Sequence, residues 1–179
     1  MKIKIKRKSI NKNKGFLIWV TGFSGSGKTT IGKELLPLIN KRLGNTILIH
    51  ADDFINLFKL KGYSKSERIK RGIMYGKLLK FLTDKKINVI FTVVGMFNKV
   101  RENNRKLIQN YIEVFIDSDL KLITEKSKKN HYVKNSRNII GLDIKPEFPK
   151  IPDVTIFNDF KTKPSQISKK IMEKLIKFF

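Results

Sequence analysis

Short apolar runs recur along the chain with helical patterns between them. Residues 16–21, 46–51, 87–94, 111–117 and 154–158 are too short, and too rich in β-branched and aromatic residues, to prefer helix, and they read as five strands. Between them, a helix is predicted from Thr30 to about Arg42, with Pro37 inside it and Gly44-Asn45 as its stop. A short helix covers 54–60. Ser64 or Ser66 caps a longer one that runs to about Thr83 or Asp84. Further helices are predicted over 98–110 and over 119 to about 127. A closing helix over 164–179 carries Ile167, Ile171, Met172, Leu175, Ile176 and Phe179 on one stripe that packs on the sheet. Strands that alternate with helices predict an α/β fold with a parallel five-stranded sheet flanked by helices, a three-layer sandwich with right-handed crossovers.

Two segments fall outside this alternation. Residues 128–150 have no clean period and hold Lys128, Lys129, Lys134, Arg137, Gly141, Pro146 and Pro149. A loop that long in a compact domain is usually functional, and it reads as a lid. Residues 1–14 carry seven basic residues and no acidic one. The alternation Lys2-Ile3-Lys4-Ile5-Lys6 suits either an edge strand or a frayed basic tail. With no repeat and no linker, residues 15–179 are expected to form a single domain.

Composition narrows the class. At 179 residues and 40% hydrophobic content, the chain can bury a real core. It has no cysteine, which excludes disulfides, thiolate metal sites and a thiol nucleophile. No apolar run approaches the ~20 residues of a membrane span, and the N-terminus lacks the apolar stretch of a signal peptide, so a cytoplasmic protein is expected. The net charge is +24, from 39 Lys plus Arg against 15 Asp plus Glu. The basic residues run the whole length and are mostly lysine. That favours solvated faces over a nucleic-acid patch, although the field would help any anionic substrate.

One stretch carries chemistry outright. Gly22-Phe23-Ser24-Gly25-Ser26-Gly27-Lys28-Thr29 matches G-x-x-x-x-G-K-[ST], the P-loop pattern, between a predicted strand and a predicted helix. Its glycines let consecutive N–H groups turn inward on a phosphate chain, and the helix N-terminus adds partial positive charge there. Lys28 is expected to reach the β- and γ-phosphates of ATP, with the Thr29 hydroxyl on Mg²⁺ and Ser24, Gly25, Ser26, Gly27 and Thr30 completing the cradle. Asp52 and Asp53 follow the second strand at its carboxyl end, where open parallel sheets bind ligands. One suits a general base toward a hydroxyl, and the other a metal-bound water. Asp52 is expected as base and metal ligand and Asp53 on the substrate side. His50, beside them, fits either a ligand contact or a structural role. Arg68, Arg71, Arg101 and Arg105 are candidates to clamp an anionic acceptor. Phe58, Tyr63 and Phe97 lie near the presumed cleft, where an aromatic ring can stack a nucleobase.

Several stretches, taken together, resemble the adenosine 5′-phosphosulfate (APS) kinases over roughly residues 15–160. Gly22 through Thr30 resembles that family's G-L-S-G-S-G-K-T-T, and Gly62-Tyr63-Ser64-Lys65-Ser66-Glu67-Arg68 its G-F-S-x-x-D-R. Phe97, Arg101 and Arg105 keep the spacing of its S-P-[YF]-x-x-x-R-x-x-x-R. Glu113-Val114-Phe115-Ile116-Asp117 is similar to its E-V-[FY]-[VL]-D. Gly141-Leu142-Asp143, with Pro146, Pro149, Pro152 and Asp153, resembles the end of its lid. The resemblance implies a kinase that moves the γ-phosphoryl group of ATP to the ribose 3′-hydroxyl of a nucleotide-linked sulfate, and a chain able to pair as a homodimer. It aligns Asp52 with the second acid of the family's D-G-D-N and Lys129 with a catalytic lysine of the lid. Arg137, in the same lid, is the candidate for the ATP side.

The chain departs from the family on the acceptor side. D-G-D-N reads His50-Ala51-Asp52-Asp53, and the arginine expected shortly after it is Ile55. The Asn and the following Arg of N-I-R-R are Arg71 and Ile73, and S-P is Gly95-Met96. These departures imply an altered acceptor, for which relatives that phosphorylate cytidine diphosphoramidate are the precedent. A sugar kinase on the same scaffold and an ATP-switched nucleic-acid binder are the remaining readings.

Overall fold

Each strand is separated from the next by at least one helix, so the chain returns to the same end of the sheet before it pairs again, and every pairing is parallel. The computed structural model describes residues 10–126 and 138–179. Its strands are β1 (Leu17–Thr21), β2 (Thr46–His50), β3 (Asn88–Val93), β4 (Tyr111–Asp117) and β5 (Val154–Phe157), in the order β2-β3-β1-β4-β5. β1 lies at the centre, with Thr21 beside Val93 on one flank and Phe115 on the other. The connection from β1 runs to β2 on one side and that from β3 crosses to β4 on the other, which places the loop after β1 at the switch point of the sheet.

The helices are α1 (Lys28–Leu43), α2 (Ala51–Leu57), α3 (Lys65–Asp84), α4 (Asn98–Leu107), α5 (Leu120–Lys126) and α6 (Pro164–Leu175), with a closing 3-10 turn at Ile176–Phe178. Strand periodicity sorts the core into two layers. From β1, Ile18 and Val20 meet Ile31, Leu35 and Ile39 of α1 and Ile171 of α6. Leu17 and Trp19 face the other way, among Phe54, Tyr75, Leu79, Phe91 and Val100. The predicted three-layer sandwich is observed, and Pro37 sits inside α1 without ending it.

Some boundaries move for local reasons. α2 begins at Ala51 rather than Phe54, because the Asp53 carboxylate accepts the His50 N–H at 2.7 Å and caps the helix three residues early. α4 stops at Leu107 instead of Asn110. Ile108 turns to extended backbone, and the Asn110 amide donates to the carbonyls of Asn11, Lys14 and Gly15. The apolar stripe of α6 is buried through Leu175, but Ile176 and Phe179 are 39% and 41% exposed, because the chain tightens into the 3-10 turn there. Gly72 and Gly76, one turn apart on α3, admit α4: a Cβ on them would stand 2.7 Å from Val100 and 2.1 Å from Asn104. The alternating Lys2–Lys6 stretch lies outside the described residues, as does the start of the expected lid. Among the described residues, no helix is long and apolar enough to cross a membrane.

Candidate active site

The loop after β1 takes the shape its glycines permit. Gly25 and Gly27 have φ of 80° and 90°, the left-handed region that other residues avoid. The Ser26 N–H donates to the Phe23 carbonyl at 3.1 Å, and the Asn158 amide, from just beyond β5, donates to the Ser26 carbonyl at 3.0 Å. Lys28 opens α1, and its ammonium folds back to donate to the Phe23 carbonyl, 3.4 Å from Ser26 Oγ. Ser24, Gly25, Gly27, Lys28, Thr29 and Thr30 line a cavity of 790 Å³. Gly22 and Ser26 lie beneath it: a Cβ on Gly22 would meet the Ile116 carbonyl at 2.4 Å, and Ser26 is fully buried. These two shape the loop without facing the cavity.

The ends of β2 and β3 supply the floor. His50 Nδ1 is 2.7 Å from Thr92 Oγ1, and both residues line the cavity beside Asp52. Asp53 is absent from the lining, because its carboxylate is taken by the cap on α2. It is a positioning residue in this geometry rather than a substrate contact. The earlier start of α2 also displaces Phe58. It becomes the C-cap that follows Leu57, half exposed, its ring 5.9 Å from that of Phe54 and outside the cavity lining.

The opposite wall comes from α3 and the start of α4. Tyr63, Arg68, Arg71, Tyr75, Phe97 and Val100 face the cavity. Arg68 donates to the Tyr63 carbonyl at 2.8 Å and to the Asn138 carbonyl at 3.0 Å. The guanidinium carbons of Arg68 and Arg71 each lie 5.1 Å from the Tyr63 ring centroid. Burial first, and the neighbouring Arg71 charge second, hold the Arg68 pKa below its ordinary value. Phe97 lines the cavity but is only 2% exposed, with the Lys65 ammonium 5.8 Å from its ring. Tyr63 is the more open aromatic, at 47%.

Arg101 and Arg105 are not brought to this wall. Arg101 is buried and donates to the Gly95 carbonyl at 2.8 Å, to Asn98 Oδ1 and to the Glu147 carbonyl. Its Nε stands 3.1 Å from Glu113 Oε1. Arg105 bonds Glu113 and Asp153 at 3.0 and 2.9 Å. The expectation that they clamp an acceptor gives way to an internal role, because Glu113 on β4 draws both inward. Lys129 and Arg137 lie outside the described residues.

Trp19 and Tyr75 line the cavity without having been expected there. In the sequence Trp19 lies in a run read as a buried strand and Tyr75 within the long helix, and only the fold brings both residues to the cavity.

A parallel sheet of this order, with a phosphate-loop motif at its switch point and an acid across from it, defines a P-loop kinase fold. The model of the adenylylsulphate kinase family matches residues 14–157. A cytidine diphosphoramidate kinase of Campylobacter jejuni is 33% identical over 167 residues, 89% of this chain and 98% of that protein. An adenylyl-sulfate kinase of Pseudomonas aeruginosa is 30% identical over 157 residues, 84% of this chain and 80% of that one. The solved structure of the Mycobacterium tuberculosis APS kinase CysC, in complex with AMPPNP and APS, superposes with a TM-score of 0.82 at 21% identity, covering 91% of this chain and 98% of that one. The chain belongs to the adenylylsulphate kinase family.

Proposed function

We propose that this protein transfers the γ-phosphoryl group of ATP to a ribose 3′-hydroxyl of a nucleotide-linked anion. The observation that carries this is one cavity that joins the phosphate loop, Asp52 and an arginine-bearing wall. The loop N–H groups and the α1 N-terminus bind the phosphate chain, and Lys28 swings from the Phe23 carbonyl to the γ-phosphate. Asp52 accepts the proton of the attacking hydroxyl. Tyr63 offers its face to the base, and Arg68 and Arg71 face the acceptor anion.

Thr29 and Asp52 are hard oxygen donors on the same cavity, and they fit a Mg²⁺ that keeps most of its ligands as water and phosphate. The ion, when bound, would neutralise charge developing between the β- and γ-phosphates. Lys129 remains the candidate for a catalytic lysine, and Arg137 the candidate for the ATP side.

Cytidine diphosphoramidate is the first acceptor to test, since the Campylobacter relative shares 33% identity across 98% of its own length. APS is the second, favoured by the family match. ADP release measured with ATP·Mg²⁺ against both compounds and simple sugars decides between them. Turnover of a sugar alone would overturn the nucleotide reading. Asp52→Asn is expected to lower kcat by about 10²–10⁴-fold with ATP affinity little changed. If Asp53→Asn proves the more damaging change, the base is misassigned.

A further inference from the structure

One peptide of the phosphate loop is held from outside the loop. On its near side, the Ser26 N–H donates to the Phe23 carbonyl at 3.1 Å. On its far side, the Gly27 carbonyl accepts the Ile31 N–H at 2.9 Å in the first turn of α1. The peptide unit between these two anchors is held by Asn158, whose Nδ2 donates to the Ser26 carbonyl at 3.0 Å. Without that bond the unit is free to turn. Rotating it changes ψ of Ser26 and φ of Gly27 together, and a glycine accepts either sign of φ.

Asn158 is well placed to choose the orientation. It is 5% exposed, its N–H donates to the Asp117 carbonyl at 2.8 Å, and its Oδ1 accepts the Phe160 N–H at 3.0 Å. The oxygen end of the amide is thereby taken, and the nitrogen end is left for the loop. A Cβ on Gly27 would stand 2.9 Å from that nitrogen, so the amide lies directly against the loop.

A trans peptide is planar, and its C=O and N–H point in opposite directions. A donor that fixes the Ser26 carbonyl therefore fixes the Gly27 N–H, aimed away from Asn158. Gly27 lines the cavity and Asn158 does not. No backbone group among the described residues accepts the Gly27 N–H. An N–H with no internal acceptor, turned from a buried brace toward a phosphate cradle, is a donor kept for an anion.

We propose that Asn158 is a positioning residue for the phosphate site: by holding the Ser26 carbonyl, it aims the Gly27 N–H at the β-phosphate of the bound nucleotide. It touches no reacting atom and acts through the Gly27 peptide. Its bearing on transfer rests on the kinase reading above, and its bearing on phosphate binding rests on the loop alone.

ADP against AMP isolates the effect, because only ADP carries a β-phosphate for the loop to cradle. Both are titrated as competitors of AMPPNP on the parent, Asn158→Asp and Asn158→Ala. Asn158→Asp keeps the side-chain shape but sets an acceptor against the Ser26 carbonyl, which drives the peptide to turn. It is expected to weaken ADP about 10-fold or more, the scale of one hydrogen bond to a charged group, and AMP no more than about twofold. Asn158→Ala removes the donor without the repulsion and should move the ADP-to-AMP ratio the same way by less. A merely structural role would lower the melting temperature and leave that ratio alone. In turnover, Asn158→Asp should raise KM for ATP and leave KM for the acceptor near the parent value. The Gly27 amide resonance of the ¹⁵N-labelled parent needs no variant and should shift further with ADP than with AMP. A ratio that neither variant moves, or a Gly27 resonance that ADP and AMP move alike, would overturn the positioning role. Absent turnover with every acceptor, while the ratio still depends on Asn158, would instead sink the kinase reading alone.

Discussion

Two pairs of arginines on neighbouring helices meet opposite fates. Arg101 and Arg105 on α4 turn inward and are matched by Glu113 and Asp153. Arg68 and Arg71 on α3 have no acid within ion-pair distance among the described residues, and each guanidinium lies 5.1 Å from the Tyr63 ring centroid. The residue type is the same in both pairs; what differs is whether the facing element carries a carboxylate. β4 brings Glu113, nearly fully buried, to α4, whereas α3 faces a cavity. A guanidinium matched inside the protein works for the fold, and one left unmatched beside a cavity is available to a ligand.

The contrast can be broken most forcefully at Glu113. Glu113→Ala strands Arg101 in the interior, and a loss of about 3–5 kcal/mol is expected in urea unfolding, while Arg71→Gln stays within about 0.5 kcal/mol of the parent. Replacing both partners, Arg101→Met with Glu113→Leu, should recover most of the loss, because no charge is then stranded. Equal stability of Glu113→Ala and the parent would erase the distinction. A smaller effect belongs to Arg105→Met. Its side chain is 30% exposed and solvent screens the pair, so about 1 kcal/mol is expected in the same measurement. Asp153 would still accept the Glu113 N–H.

The smallest effect is a pH dependence at the edge of the α4 network. The Lys65 ammonium first, and the Asn98 N–H second, hold the Glu147 pKa below the usual 4.5. A depressed carboxyl stabilises the fold above its unfolded value and loses that contribution as pH falls through the lower folded one. Thermal melts should therefore decline as pH drops below about 4.5, and Glu147→Gln should flatten part of that slope. An unchanged slope would remove Glu147 from the network.

The same contrast explains what was legible in the sequence. The five strands, their alternation with helices and the phosphate loop could all be read, because each is a local pattern of apolar spacing or glycine placement. The fate of an arginine is not local. Arg101 and Arg105 had the spacing of an anion clamp, and only the pairing of β4 with β1 brings Glu113 beneath them. A signal was present nonetheless: a glutamate within the run Tyr111–Asp117 is a charge in a buried strand, which demands a buried cation. Asp53 was misjudged for a similar reason, since its place three residues after His50 suits a helix cap as well as a substrate contact. Trp19 and Tyr75 gave no sign at all, because burial and exposure to a cavity look alike in a hydropathy pattern.

The brace on the phosphate loop bears on synthesis. The Ser26 carbonyl is held by the Asn158 amide, 132 residues further along, and Ser168 ties α6 to the Ile31 carbonyl of α1. A nascent chain on the ribosome thus carries the complete glycine motif long before it carries the hook that fixes the motif's shape. The Asn158 brace can form only once that residue has been made and has docked, so a chain stalled before residue 158 has its phosphate loop without this hook.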